Sequence, residues 1–84
     1  PYLAAVLGIT VPPAASITDA NGGVWTLGAV TQYGKQVLLN GTVAGGGQGT
    51  IISWKNNQIK VQNSLGDWWL WLGVSPYWQA TSPP

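Results

Sequence analysis

Apolar and polar positions alternate most cleanly over residues 58–62, "QIKVQ": Ile59 and Val61 fall on one side, and Gln58, Lys60 and Gln62 on the other. A two-residue period marks a strand with one buried face. Just upstream, "TIISW" is nearly all apolar, and Asn56 and Asn57 separate the two runs, so residues 50–62 predict a hairpin. "QVLLNGTVA", residues 36–44, predicts another. Its arms flank Asn40 and Gly41, a pair suited to the two positive φ angles of a type I′ turn. "VWTLG" at 24–28 reads as a strand after the turn "DANGG", and "WWLWLG" at 68–73 as a strand after "SLGD". Both alternating sets of "WWLW" are apolar, which predicts cover on both faces. "SPYWQAT", residues 75–81, reads as a last edge strand.

Glycine and proline supply the punctuation. Twelve glycines and six prolines break the chain every few residues, and β-branched residues fill the intervals. "VPPAAS" at 11–16 predicts an extended or polyproline segment, because Pro13 restricts Pro12 and neither donates a hydrogen bond. "GGGQG" at 45–49 predicts a flexible connection and lacks the Gly-Lys-Ser/Thr ending of a phosphate loop. A helical pattern is weak everywhere, residues 2–9 included. The fold expected is therefore all-β: an antiparallel meander of about six or seven short strands, closed into a small barrel or folded as a sandwich. Residues 12–81 make a single domain, preceded by an apolar arm or edge strand at 1–11 and followed by a tail at 82–84.

Composition narrows the chemistry. Eighty-four residues fit one domain, and a chain of this size buries a thin core. Cysteine and histidine are absent, which excludes disulfides, a Ser-His-Asp triad and a cysteine or histidine zinc site. The carboxylates are Asp19 and Asp67, each beside a predicted turn, and the simpler role for both is turn capping. A glycosidase would need them facing each other across a sugar, and calcium would need more oxygen ligands than two carboxylates supply. No catalytic residue, metal or cofactor is expected. Net charge is +1 and the three lysines form no stripe, so nucleic acid is not an expected partner. The longest apolar run is far short of the ~20 residues of a membrane helix.

With 6% of residues charged, against about 25% in an ordinary domain, little repulsion keeps copies apart. A crowded or tethered setting follows: a module of a larger chain, a subunit of an assembly, or a protein on a solid surface. "PYLAAVLGIT", residues 1–10, lacks the basic start of a signal peptide and reads as a trimmed remnant, an edge strand or a docking arm.

"PPAASITDANGGVWTLG", "VLLNGTVAGGGQGTIISW", "NNQIKVQNSLGDWWLWLG" and "YWQAT" together resemble a small Trp-rich, Gly-rich repeat module of bacterial extracellular and phage-associated proteins, often found beside polysaccharide-active domains. The resemblance spans about residues 12–80 and implies carbohydrate binding. It departs at Lys60, where the module often carries tyrosine. It also places Trp68 and Leu70 outward, and Trp69 and Trp71 inward.

Four of the six tryptophans fall within residues 64–79. Trp25 and Trp54, set among apolar strand residues, are expected in the core. Trp68, Trp78 and Tyr77 are the candidates for an exposed platform, since indole faces stack on the apolar face of a pyranose and Tyr O–H or Trp N–H groups bond at its rim. Asn57 and Gln62, with Asn56, Gln58 and Asn63, offer neutral partners for hydroxyls. The expected function is a non-catalytic, surface-displayed module that binds polysaccharide, outside the cell or on a particle. The alternative is a decoration or assembly protein of a virion capsid or surface layer. It would use the same aromatic face and the N-terminal arm for protein contact.

Overall fold

A computed structural model describes residues 8–84. Among them nine strands form two antiparallel sheets. The first sheet has the order β1 (Ile9–Val11), β6 (Ile51–Lys55), β7 (Gln58–Gln62), β8 (Trp68–Trp71), β9 (Trp78–Thr81). The second has the order β2 (Ile17–Thr18), β3 (Val24–Thr31), β4 (Gly34–Leu39), β5 (Thr42–Gly49). From Ile9 the described chain runs through the first sheet, builds the second as a meander, and returns to finish the first.

Seven of these strands are those the sequence pattern predicts. The other two are β1 and β2, three and two residues long, too short to carry a visible period. β1 lies at the edge of the first sheet, paired with β6. The helix considered over residues 2–9 falls outside the described residues except for Gly8 and Ile9, and Ile9 belongs to β1. Two local expectations are corrected. Residues 12–16 turn instead of running extended, closed by the bond from Ala14 N to the Thr10 carbonyl at 3.0 Å. "GGGQG" is the second half of β5 and not a flexible connection.

Both predicted Asn turns form. Asn40 and Gly41 take φ values of 53° and 81°, as a type I′ turn requires, and Asn40 Oδ1 accepts the Val24 N–H at 2.9 Å. Asn56 and Asn57 take 51° and 60° between β6 and β7. The β2–β3 turn is organised by Asp19, whose Oδ1 accepts the N–H groups of Asn21 and Gly23 at 2.9 and 2.8 Å.

The two sheets face each other across one core of Val11, Ile17, Trp25, Val37, Ala44, Ile52, Trp54, Ile59 and Val61. Trp25 and Trp54 are buried there as expected. Lys60 points to the opposite face, as its alternation predicts, yet is 9% exposed. Its stem lies along the sheet while Nζ donates to the Ser82 carbonyl at 3.1 Å, so the chain after β9 folds back over this face.

One residue, Thr50, carries the chain from one sheet to the other, with its N–H on the Gln62 carbonyl at 2.8 Å. The crossing is tight because residue 49 has no side chain. A Cβ there would lie 2.2 Å from Val61 Cγ1 and 2.8 Å from the Gln62 oxygen. Gly49→Ala therefore has to push β5 off β7 at the point where the sheets join. We expect a loss of about 3 kcal/mol, the upper end for overpacking, and a Tm lower by roughly 10 °C or more, read by thermal melts. An unchanged Tm would mean that the corner is looser than described.

Candidate functional site

The site is built on four aromatic side chains. Trp25 is fully buried, and its Nε1 donates to Asp19 Oδ2 at 2.8 Å. Trp71 meets it edge to face, with ring centroids 5.3 Å apart. Trp78 lies 5.0 Å from Trp71 and 6.4 Å from Trp25. Tyr77 stacks on the other side of Trp71, 5.7 Å away with 19° between the planes. Such edge-on and offset contacts match the positive rim and negative face of the rings. Trp78 Nε1 donates to the Ala44 carbonyl at 2.9 Å, tying β9 to β5 across the two sheets.

Glycines in β5 make room for these rings. A Cβ on Gly47 would sit 2.8 Å from Trp78 Cζ2, and one on Gly45 would sit 2.6 Å from Tyr77 Cβ. The same stretch bulges: between the pairs Leu38–Val43 and Gln36–Gln48, β5 advances by more residues than β4. Gly45 and Gly47 thus form a seat for the aromatic side chains, while Gly46 between them faces open space at a φ of 73°.

Above this seat the sheets part and leave an open groove of about 400 Å³. One wall is the β5 bulge, with Gly46, Gly47 and Gln48; the other is Val61, Asn63, Leu65, Asp67 and Trp69, with Trp78 and Tyr33 completing the lining. Trp69 is the decisive residue. The register pairs it with Val61 and Ala80 on the inner face of the first sheet, so it points inward as the resemblance implies. Yet it stands outside the core cluster, which takes Trp71 and Trp78, and lines the groove instead. Trp78 is its diagonal neighbour, since Trp71 pairs with Trp78 and Trp69 with Ala80, within aromatic reach.

Hydrogen bonds fix the groove's end. Tyr33 N–H donates to Gln48 Oε1 at 3.3 Å, and the Tyr33 carbonyl accepts the Ser64 N–H at 3.0 Å. The β7–β8 turn is held by Asn63, whose Oδ1 accepts the N–H groups of Leu65 and Asp67 at 3.0 and 3.1 Å. Leu65, 69% exposed, forms the rim.

The five residues singled out from sequence are dispersed. Trp78 lines the groove. Tyr77 caps the cluster from the loop beside it, 42% exposed. Trp68 and Gln62 are cross-strand partners on the other face of the same sheet, with Gln62 Nε2 donating to the Gly66 carbonyl at 3.3 Å. Asn57 lies five strand residues from Gln62, roughly 16 Å away. A flat platform of Trp68 with Trp78 does not form, because Trp68 is three positions from Trp71, the partner of Trp78, and alternation sends the two to opposite faces. Of the other lining residues, Tyr33, Leu65 and Gln48 carry no expectation from sequence, Trp69 is expected inward, and Asp67 is expected to cap a turn. Asn63, one of the secondary polar candidates, does line the groove.

The two carboxylates lie apart. Asp19 sits at the Trp25 end of β3, and Asp67 lines the groove with Tyr33 beyond its other end. Six residues of strand separate these ends by roughly 20 Å, against about 5–10 Å for a glycosidase pair. Among the described residues no three His, Cys, Asp or Glu side chains gather around a common point, and no helix is long and apolar enough to cross a membrane. No protein family, curated protein or solved structure matches the chain.

Proposed function

We propose that this chain is a non-catalytic module that binds polysaccharide in the groove of Trp69, Trp78 and Tyr33, displayed outside the cell or on a particle. The observation that carries the reading is the position of Trp69. An inward-facing indole left out of a thin core gives up burial that a domain of this size has few other ways to gain, and here it lines a groove instead. The oxygens of Asn63 and Gln48 accept backbone N–H groups, which leaves the amide NH2 groups of these lining residues to donate to hydroxyls, and aromatic walls suit the apolar face of a sugar ring.

The test is acrylamide quenching of tryptophan fluorescence, repeated across a panel of soluble polysaccharides. We expect quenching to fall with one class of glycan. Unprotected indoles across the whole panel would sink the reading.

A second reading, a decoration or assembly protein, is favoured by the β8–β9 loop. Val74 there is 68% exposed, and Leu72 and Tyr77 are exposed as well, an apolar tip suited to protein contact. On that reading Val74→Asp would block incorporation into the particle and leave glycan binding unchanged.

A further inference from the structure

We infer that the groove selects a glycan bearing free ammonium groups, a polymer of deacetylated hexosamine, over its neutral N-acetylated counterpart. The inference rests on the groove being the glycan site. Its basis is the carboxylate of Asp67. The chain carries two acidic residues, and they are used differently. Asp19 is committed to its own turn and to the buried indole, with both oxygens accepting hydrogen bonds. Asp67 sits in a turn that does not need its carboxylate, because Asn63 accepts the N–H groups there. The sequence expectation that both acids cap turns therefore holds for Asp19 and is corrected for Asp67. Asp67 is exposed and is one of the residues lining the groove, with Trp69, Trp78 and Tyr33.

A carboxylate can only accept. For a neutral sugar an amide would serve as well and cost less to desolvate. Beside aromatic faces it makes a different site. An ammonium group gains a charge-assisted hydrogen bond from the carboxylate and the attraction of ring faces for a cation. The lysines do not compete for it within the groove. Lys60 donates to Ser82 on the far face of the first sheet, Lys55 packs beside Gly8, and Lys35, two residues past Tyr33, is exposed without lining the groove. A glycan uronate would meet Asp67 as a like charge and be refused.

The test is calorimetric titration with glucosamine oligomers and with N-acetylglucosamine oligomers of equal length, at mildly acidic pH where the sugar amine is protonated. Wild type is compared with Asp67→Asn, which keeps the shape of the side chain and leaves the Asn63 bonds in place. Wild type should prefer the amine form by about tenfold or more, the size of one charge-assisted hydrogen bond. Asp67→Asn should erase that preference, so that the two oligomers bind the variant with affinities equal to within about threefold. Equal binding of both oligomers by wild type, or a preference that survives in Asp67→Asn, overturns the amine selectivity and leaves the glycan groove standing. Failure to bind either oligomer or any polysaccharide of the panel overturns both.

Discussion

Trp69→Ala should lower the affinity of the groove for its polysaccharide about 30-fold or more, while Trp68→Ala, one residue away, should change it by less than about twofold. The contrast follows from strand alternation. Trp69 shares the inner face with Trp78 and lines the groove, whereas Trp68 shares the outer face with Gln62 and Thr81. Truncating an aromatic anchor in a binding pocket typically costs 2 kcal/mol or more, which sets the factor. Both indoles are half-buried, so the two variants carry similar structural risk, and near-ultraviolet circular dichroism serves as the control for folding. Affinity electrophoresis through gels containing the polysaccharide reads the result. Equal retardation of the two variants would remove Trp69 from the site.

Trp25→Ala should unfold the domain at ordinary temperature. Trp25 has no exposed surface and touches both Trp71 and Trp78. Removing such a side chain costs about 3–5 kcal/mol in lost contacts and cavity, and Asp19 Oδ2 loses the indole N–H bonded to it. A domain of this length has roughly 4–13 kcal/mol in all. Trp25→Phe separates the two contributions. It keeps most of the apolar volume and loses the N–H donor, so it should fold with a deficit of about 1–3 kcal/mol, the cost of losing a hydrogen bond to a charged group. Urea titrations distinguish these outcomes. A Trp25→Phe protein as stable as wild type would show that the Asp19 bond contributes nothing.

Most of the architecture was legible because its signals are local. Asn40–Gly41 and Asn56–Asn57 fix their turns through positive φ, and the alternation of residues 58–62 fixes the face of β7. What was hidden depends on partners distant in the chain. β2 has two residues and becomes visible through its pairing with β3. Gly45 and Gly47 look like parts of a linker until Tyr77 and Trp78, some thirty residues on, lie against them. Lys60 looks solvated until Ser82 covers it.

The candidate site was harder to see for the same reason. Alternation sorts "WWLW" into two faces and does not say that the sheets part above Trp78. From sequence alone an inward position reads as core, and nothing local marks Trp69 as part of a groove. Tyr33 and Asp67 are more than thirty residues apart and meet at the groove because the β3–β4 and β7–β8 turns are bonded through Ser64 and Tyr33. The available signal lies in the count: six tryptophans exceed what a core this thin can enclose, and of the two outside it Trp69 lines the groove while Trp68 lies on the outer face.

The most direct test of the groove as the binding site follows the six indole N–H resonances of the protein by NMR as a polysaccharide that binds it is titrated in. The Trp69 and Trp78 signals should shift in step with binding, and those of Trp68 and Trp54 should stay in place. A shift centred on Trp68, with Trp69 and Trp78 unmoved, would contradict the account and move the site to the outer face of the sheet.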